Sequence, residues 1–182
     1  MIGYLLGGLV VLAVAVIGLY ISYNNRIVTL ANRIEEAWAQ IDVQLQKRYD
    51  LVPNLVETVK GYASHEREIF DNIAKARAGM VSGTRQARVE ADNMLTQALG
   101  RLFAVAEAYP NLKAQENFKL LQEQLEGIEN KIAYARQYYN DSVLSFNNIV
   151  TIIPGVWLAG GRGKHDFLEI PDEARAVPQV KF

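Results

Sequence analysis

The sequence predicts an all-α protein, in which an N-terminal transmembrane helix is followed by a long antiparallel up-down-up-down four-helix bundle. Three observations predict it. Residues 2–21 are all apolar, glycine or tyrosine. Downstream of Tyr23 the apolar residues recur at gaps of three and four, the spacing of one helix face. No stretch alternates with the period of a strand. The expected division is an anchor over 1–22, a bundle over 23–151, and an apolar membrane-proximal segment with a mobile tail over 152–182.

About 20 residues at 1.5 Å each match a bilayer core of roughly 30 Å, so the first segment is long enough to span. Ala13-Val14-Ala15 has the small-x-small form of a signal-peptide cleavage site. It lies in mid-stretch, however, with no basic region before it and more apolar sequence after it, so the segment is expected to be retained. Tyr4 near one end, and Tyr20 and Tyr23 near the other, suit the headgroup layers. No Lys or Arg precedes the span, whereas Arg26 and Arg33 follow it, which places the C-terminal domain in the cytoplasm. Gly3-Tyr4-Leu5-Leu6-Gly7 has the small-xxx-small spacing that lets membrane helices approach each other.

Helix A carries Ile27, Ala31, Ile34, Trp38, Ile41 and Leu45 on one face. Pro53 fits the first turn of a second helix, B, whose seam runs through Val52 or Leu55, Val59, Tyr62, Ile69, Ile73, Ala76 and Met80. Gly79, Ser82, Gly83 and Thr84 form a breaker cluster. Helix C follows with Leu95, Leu99, Leu102, Ala106 and Tyr109 and is closed by Pro110. Asn111 is the expected N-cap of helix D, which carries Phe118, Leu121, Leu125, Ile128, Ile132, Ala135, Tyr139, Val143, Phe146 and Val150, with a stutter near Tyr139. Short links favour antiparallel neighbours, so the end of D returns to the membrane. There, residues 152–159 are apolar, too short to span, and carry the interfacial residue Trp157. Two readings stand: this segment rests on the membrane surface or the base of helix A, or it folds against the bundle as core. The glycine, proline and charge beyond Gly160-Gly161-Arg162-Gly163, including Pro171 and Pro178, predict the mobile tail.

Composition and motifs argue against most chemistry. With 19 basic and 20 acidic residues the chain has no basic field for nucleic acid, and without cysteine it has no thiolate chemistry. A di-iron bundle needs Glu-x-x-His on two helices, but the only histidines are His65 and His165 and neither has Glu three residues before it. No cofactor or metal is expected. Ser64-His65-Glu66-Arg67 resembles the start of the phosphoacceptor box of sensor histidine kinases, but Glu68-Ile69-Phe70 departs from that box and no ATP-binding domain follows. The plainer reading is a capped helical restart with a solvated histidine. Polar residues crowd the seam and its borders: Asn32, Arg33, Glu36, Gln40, Asp42, Gln44, Arg48, Asp50 and Asn54, then Glu126, Glu129, Asn130, Arg136 and Asn140. Most are solvated faces; some are candidates for a buried network that fixes register between A and D, or for a surface that a partner reads.

Three blocks of sequence carry a resemblance. The first is Asn32-Arg33-Ile34-Glu35-Glu36-Ala37-Trp38-Ala39-Gln40-Ile41-Asp42-Val43-Gln44-Leu45, continued by Arg48-Tyr49-Asp50-Leu51-Val52-Pro53-Asn54-Leu55-Val56-Glu57 and Gly61-Tyr62-Ala63. The second is Gly100-Arg101-Leu102-Phe103-Ala104-Val105-Ala106-Glu107-Ala108-Tyr109-Pro110. The third is Leu125-Glu126-Gly127 with Glu129-Asn130 and Tyr138-Tyr139-Asn140-Asp141. Together they resemble the LemA family of bacterial membrane-anchored helical proteins; Ile128 stands where threonine is expected, and residues 152–161 follow the family loosely. The resemblance implies a short N-terminal anchor, a long four-helix domain and a bacterial membrane location, expected to be the plasma membrane; it does not imply an activity, since the family has no established enzymatic role and no catalytic residues to carry over. The expected function is that of a non-enzymatic scaffold or adaptor. Its expected partners are membrane lipid, other envelope proteins and a second copy of itself. The alternative is a signalling component acting by phosphotransfer at His65 or by bundle rearrangement.

Overall fold

The computed structural model describes residues 1–81 and 83–169 of the 182-residue chain. Among them the regular elements are all helices: α1 (Ile2–Lys60), α2 (Arg67–Val81), α3 (Arg85–Ala106), the short α4 (Pro110–Ala114), α5 (Glu116–Thr151) and the single turn α6 (Gly155–Leu158). Ser82 and the residues from Ile170 on, including Pro171 and Pro178 of the expected tail, lie outside the described residues. The chain divides into two compact units. One comprises Met1–Trp38 and Gln137–Phe167, and the other Ala39–Arg136 with Leu168 and Glu169.

In the first unit, α1 begins as the only described helix apolar and long enough to cross a membrane, and none of that stretch is buried against protein. From Ile27 its character changes, as the periodicity predicts: Ile27, Leu30, Ile34 and Ala37 are buried while Val28, Asn32, Arg33 and Glu36 face out. Tyr139, Val143, Phe146 and Val150 of α5 are buried in the same unit, and Tyr139 meets Trp38 edge to face at 6.3 Å between centroids. After α5 the chain makes a tight apolar hook. Gly155 opens α6 because nothing larger fits: a Cβ there would lie 1.8 Å from the Ile149 carbonyl oxygen. The returning chain is then tied to α5. The Asn147 amide donates to the His165 carbonyl and accepts from the His165 N–H, both at 2.9 Å, and the His165 ring stands edge-on to Phe146 at 4.8 Å.

In the second unit the buried apolar residues follow the expected seams: Ile41, Leu45, Val52, Leu55 and Val59 on α1, Ile73, Ala76 and Met80 on α2, Leu95, Leu99, Leu102 and Ala106 on α3, and Phe118, Leu125, Ile128 and Ile132 on α5. Two expected boundaries are corrected. Pro53 does not open a new helix; it lies inside α1, which runs on to Lys60. A proline in a helix interior costs about 3 kcal/mol. Full burial of Val52, Leu55 and Val59, worth roughly 1.5–3 kcal/mol each, offsets that cost and keeps one apolar face in line through the proline. The break falls instead at residues 61–66, where the amides of Tyr62 and Ala63 both bond the Val59 carbonyl. Tyr62, expected in the seam, is 39% exposed in this turn and its hydroxyl accepts from Gln115 Nε2 at 2.6 Å. Likewise Asn111 does not cap the fourth long helix. It lies within α4, started by Pro110, and the chain passes through an extended Gln115 before α5 begins. Thr84, read as part of a breaker cluster, is the N-cap of α3 and accepts from the Ala87 N–H at 3.2 Å.

Helices α2 and α3 approach closely at Gly79, where a Cβ would lie 2.8 Å from the Ala91 Cβ. Gly79→Ala gains up to about 1 kcal/mol of helix propensity. Two facing methyl-bearing backbones with no flexible atom to yield cost more, about 1–3 kcal/mol. The expected outcome in urea denaturation is therefore a net loss of stability for Gly79→Ala, largely reversed when Ala91→Gly is added.

Candidate functional site

The sequence places charges beside an apolar seam, and in the second unit three of the helices bring four of them together. Arg48 of α1 and Arg136 of α5 are 3% and 5% exposed, and Asp92 of α3 is fully buried. The Asp92 carboxylate is divided between the two guanidinium groups: Oδ1 accepts from Arg48 Nη1 at 2.8 Å, and Oδ2 from Arg136 Nη2 at 2.7 Å. Arg48 Nη1 also pairs with Glu129 Oε2 on α5. Arg136 Nη1 donates to Asn93 Oδ1 at 2.7 Å, and the Thr96 hydroxyl bonds the Asp92 carbonyl at 3.1 Å.

Two positive and two negative groups leave the cluster without net charge, which is what a buried ionic set requires. Burial pushes the Arg136 guanidinium below its ordinary value; Asp92 and Glu129 raise it again, and Arg48 adds to the lowering. The Nε atoms of both arginines find no acceptor among the described residues, so the charges are satisfied through their Nη atoms. A cleft of about 270 Å³ adjoins the Glu129 end, lined also by Thr96, Phe103 and Gln122.

The chemistry open to this cluster is narrow. Arginine does not exchange its proton near neutral pH, and the Asp92 carboxylate is committed on both oxygens. Among the described residues no group of three or more His, Asp or Glu is placed to hold a metal ion. His65 is exposed in the turn after α1, where its carbonyl accepts from the Arg67 N–H; no carboxylate pairs with its ring among the described residues.

Of the polar residues singled out in the sequence, the structure brings together Arg48, Glu129 and Arg136. Asn32, Arg33, Glu36, Gln40, Asp50, Asn54, Glu126 and Asn130 remain exposed, and Asn140 is half-buried. Asp50 accepts from Gln46 Nε2 at 2.9 Å along its own helix, and Asp42 pairs with Arg88 of α3. Sequence reasoning misses Asp92. Its signal is positional: an acid three residues after Val89 and three before Leu95, at a step of the seam where an apolar residue is expected. Of the expected interfacial residues, Tyr4 and Tyr20 are exposed on α1, Tyr23 is half-buried, and Trp157 projects from the hook 74% exposed, so it is not core.

Fold and site together define an all-helical protein with one N-terminal stretch able to cross a membrane and a buried Arg–Asp–Arg bridge in its helical domain. The chain belongs to the LemA family, whose model matches residues 37–182. It is 26% identical over 162 residues to magnetosome protein MamQ of Magnetospirillum gryphiswaldense, covering 74% of this chain and 60% of that protein. Magnetosome protein MamQ 2 of Paramagnetospirillum magneticum is 27% identical over 173 residues, covering 80% of this chain and 64% of the relative. Protein LemA of Metamycoplasma hominis is 23% identical over 131 residues, covering 71% and 60%. The chain thus spans less than two thirds of the length of these relatives.

Removing Asp92 leaves two arginines buried without their shared counterion. Asp92→Ala is expected to lower the unfolding free energy by about 3–5 kcal/mol in denaturant titration. Replacing the three buried members, with Arg48→Met, Asp92→Leu and Arg136→Met, recovers most of that loss, because an apolar set of similar volume carries no desolvation cost and Glu129, its side chain 40% exposed, is left to water. Equal instability of the single and triple variants would contradict an ionic origin.

Proposed function

We propose that the protein is a non-enzymatic scaffold or adaptor that presents a helical bundle beside the bacterial plasma membrane to other envelope proteins, a second copy of itself included. The observation that carries this reading is that the apolar stretch of α1 and the bundle-forming stretch are one helix, unbroken from Ile2 to Lys60. A segment in the bilayer is then covalently and helically continuous with the domain it carries. The absence of Lys and Arg before the span, against Arg26 and Arg33 after it, favours a cytoplasmic domain.

The order of side-chain partners in the second unit supports an up-down-up-down arrangement. Asp42 with Arg88 and Arg48 with Asp92 ascend together, so α1 and α3 run the same way. Tyr49 with Arg77 and Lys60 with Phe70 run in opposition, as do Asn93 with Arg136 and Thr96 with Glu129. In this reading the Arg48–Asp92–Arg136–Glu129 set fixes the register of three helices, since a slide of one turn separates every pair. The exposed Gln40, Asp50, Asn54 and Asn130 are the positions left for a partner. The names of the family and of the relatives are not enzyme names, which agrees with a role without catalysis. The alternative of phosphotransfer at His65 has the exposure of that residue in its favour, and against it that no carboxylate is paired with the ring among the described residues.

A photo-crosslinking residue placed in turn at Gln40, Asp50, Asn54 and Asn130 of the full chain, irradiated in native membranes, tests the reading by mass spectrometry of the adducts. Recurrent recovery of one neighbour, or of the chain itself, is expected, and His65→Gln leaves the yield unchanged. Absence of adducts from all four positions would contradict a presenting surface, and a histidine-dependent phosphoryl label would favour the alternative.

A further inference from the structure

Two cavities of the first unit follow one another along α1. The lower is entirely apolar, about 370 Å³, and is lined by Val16, Ile17, Leu19, Tyr20, Pro154 and Leu158. The upper, about 410 Å³, lies between Tyr23, Arg26, Leu30 and Arg33 of α1 and Ser145, Asn148 and the Ile152–Ile153 step. The linings follow on from each other, Tyr20 to Tyr23 on one helix and Pro154 to Ile153 on the hook, so the character of the surface changes from hydrocarbon to cationic along α1. From Tyr20 through Tyr23, Arg26, Leu30 and Arg33 the lining residues of α1 recur every three or four positions, the spacing of one helix face.

The change of character falls at the depth where a lipid changes. The lower part flanks the last turns of the span, and Arg26 stands about 7 Å beyond its end at 1.5 Å per residue. Side chains on α1 lean toward its N-terminus, so Arg33 as well as Arg26 inclines toward the membrane. Neither guanidinium has a hydrogen-bond or ion-pair partner among the described residues, although both line the upper cavity. No Asp or Glu lines it. A zwitterionic headgroup would bring its own cation against these arginines without a carboxylate to receive it, whereas an anionic headgroup meets only positive charge and neutral polar groups.

We propose that the two cavities form one binding site for an anionic phospholipid, with the phosphate held by Arg26, the charge of Arg33 about 10 Å further along the helix reinforcing it, and an acyl chain seated between the end of the span and the hook. Tyr23, Ser145 and Asn148 supply neutral hydrogen-bonding groups around the phosphate. Exposed Ile152, Ile153 and Trp157 extend the apolar wall of the hook into the surrounding lipid. The hook thereby acts as a second, shallow attachment beside the span. The inference rests on the membrane-anchored reading of α1.

Full-length protein is reconstituted in phosphatidylcholine nanodiscs with a trace of phosphatidylglycerol carrying a photoreactive acyl chain, and the adducts are mapped after irradiation. Adducts are expected on residues 16–20 and 152–158, displaced by unlabelled phosphatidylglycerol but not by added phosphatidylcholine. Arg26→Gln with Arg33→Gln lowers labelling by about tenfold or more, the effect of losing one charge-assisted bond or two. Arg26→Lys with Arg33→Lys retains most of it. Both arginines are exposed, so helix content and melting of the variants are expected to match the parent. Equal displacement by phosphatidylcholine, labelling indifferent to the glutamine pair, or competition by chain-free glycerophosphoglycerol as strong as by the whole lipid would each overturn the site. Failure of the protein to enter nanodiscs would overturn the anchor reading and this inference with it; entry without headgroup preference overturns the inference alone.

Discussion

The helix α1 is asked to satisfy two solvents in succession. Over residues 2–21 apolar side chains surround it completely and none is buried against protein, a surface on which each large side chain left in water forgoes roughly 1.5–3 kcal/mol. From Ile27 the apolar residues withdraw to one stripe and are buried, while the opposite side carries Asn32, Arg33 and Glu36. Because backbone hydrogen bonding is internal to a helix, an element of this kind can pass from lipid to water without interruption; only the distribution of side chains has to change.

That switch was legible in the sequence, and so were the seams. Helix periodicity located Ile41, Leu45, Leu95, Leu99, Leu125 and Ile132 in the interior because a buried face needs little more than regular apolar spacing. Breaks were harder. Pro53 carries a strong local signal to end a helix, and tertiary burial on either side overrode it, whereas the break at residues 61–66 has only Gly61 and Ser64 to announce it. The same holds for Asn111, whose capping propensity is spent inside a single turn begun by Pro110.

The charge cluster was half legible. Arg48, Glu129 and Arg136 stand out as charges at or beside seam positions, and a network between the first and last long helices is the natural inference. Asp92, the residue on which the two buried arginines converge, gives no more sign than one acid in an apolar rhythm on a helix of weak amphipathicity. What the pairing supplies is neutrality rather than reactivity: the carboxylate has a guanidinium on each oxygen and is fully buried, out of reach of any substrate.

The change of solvent along α1 is tested most directly by alkaline carbonate extraction of membranes containing the full chain, with the mature N-terminus mapped on the same material. Protein that remains in the membrane pellet with its first residues intact is the predicted result. A mature chain that starts after Tyr23 and leaves with the soluble fraction would contradict it.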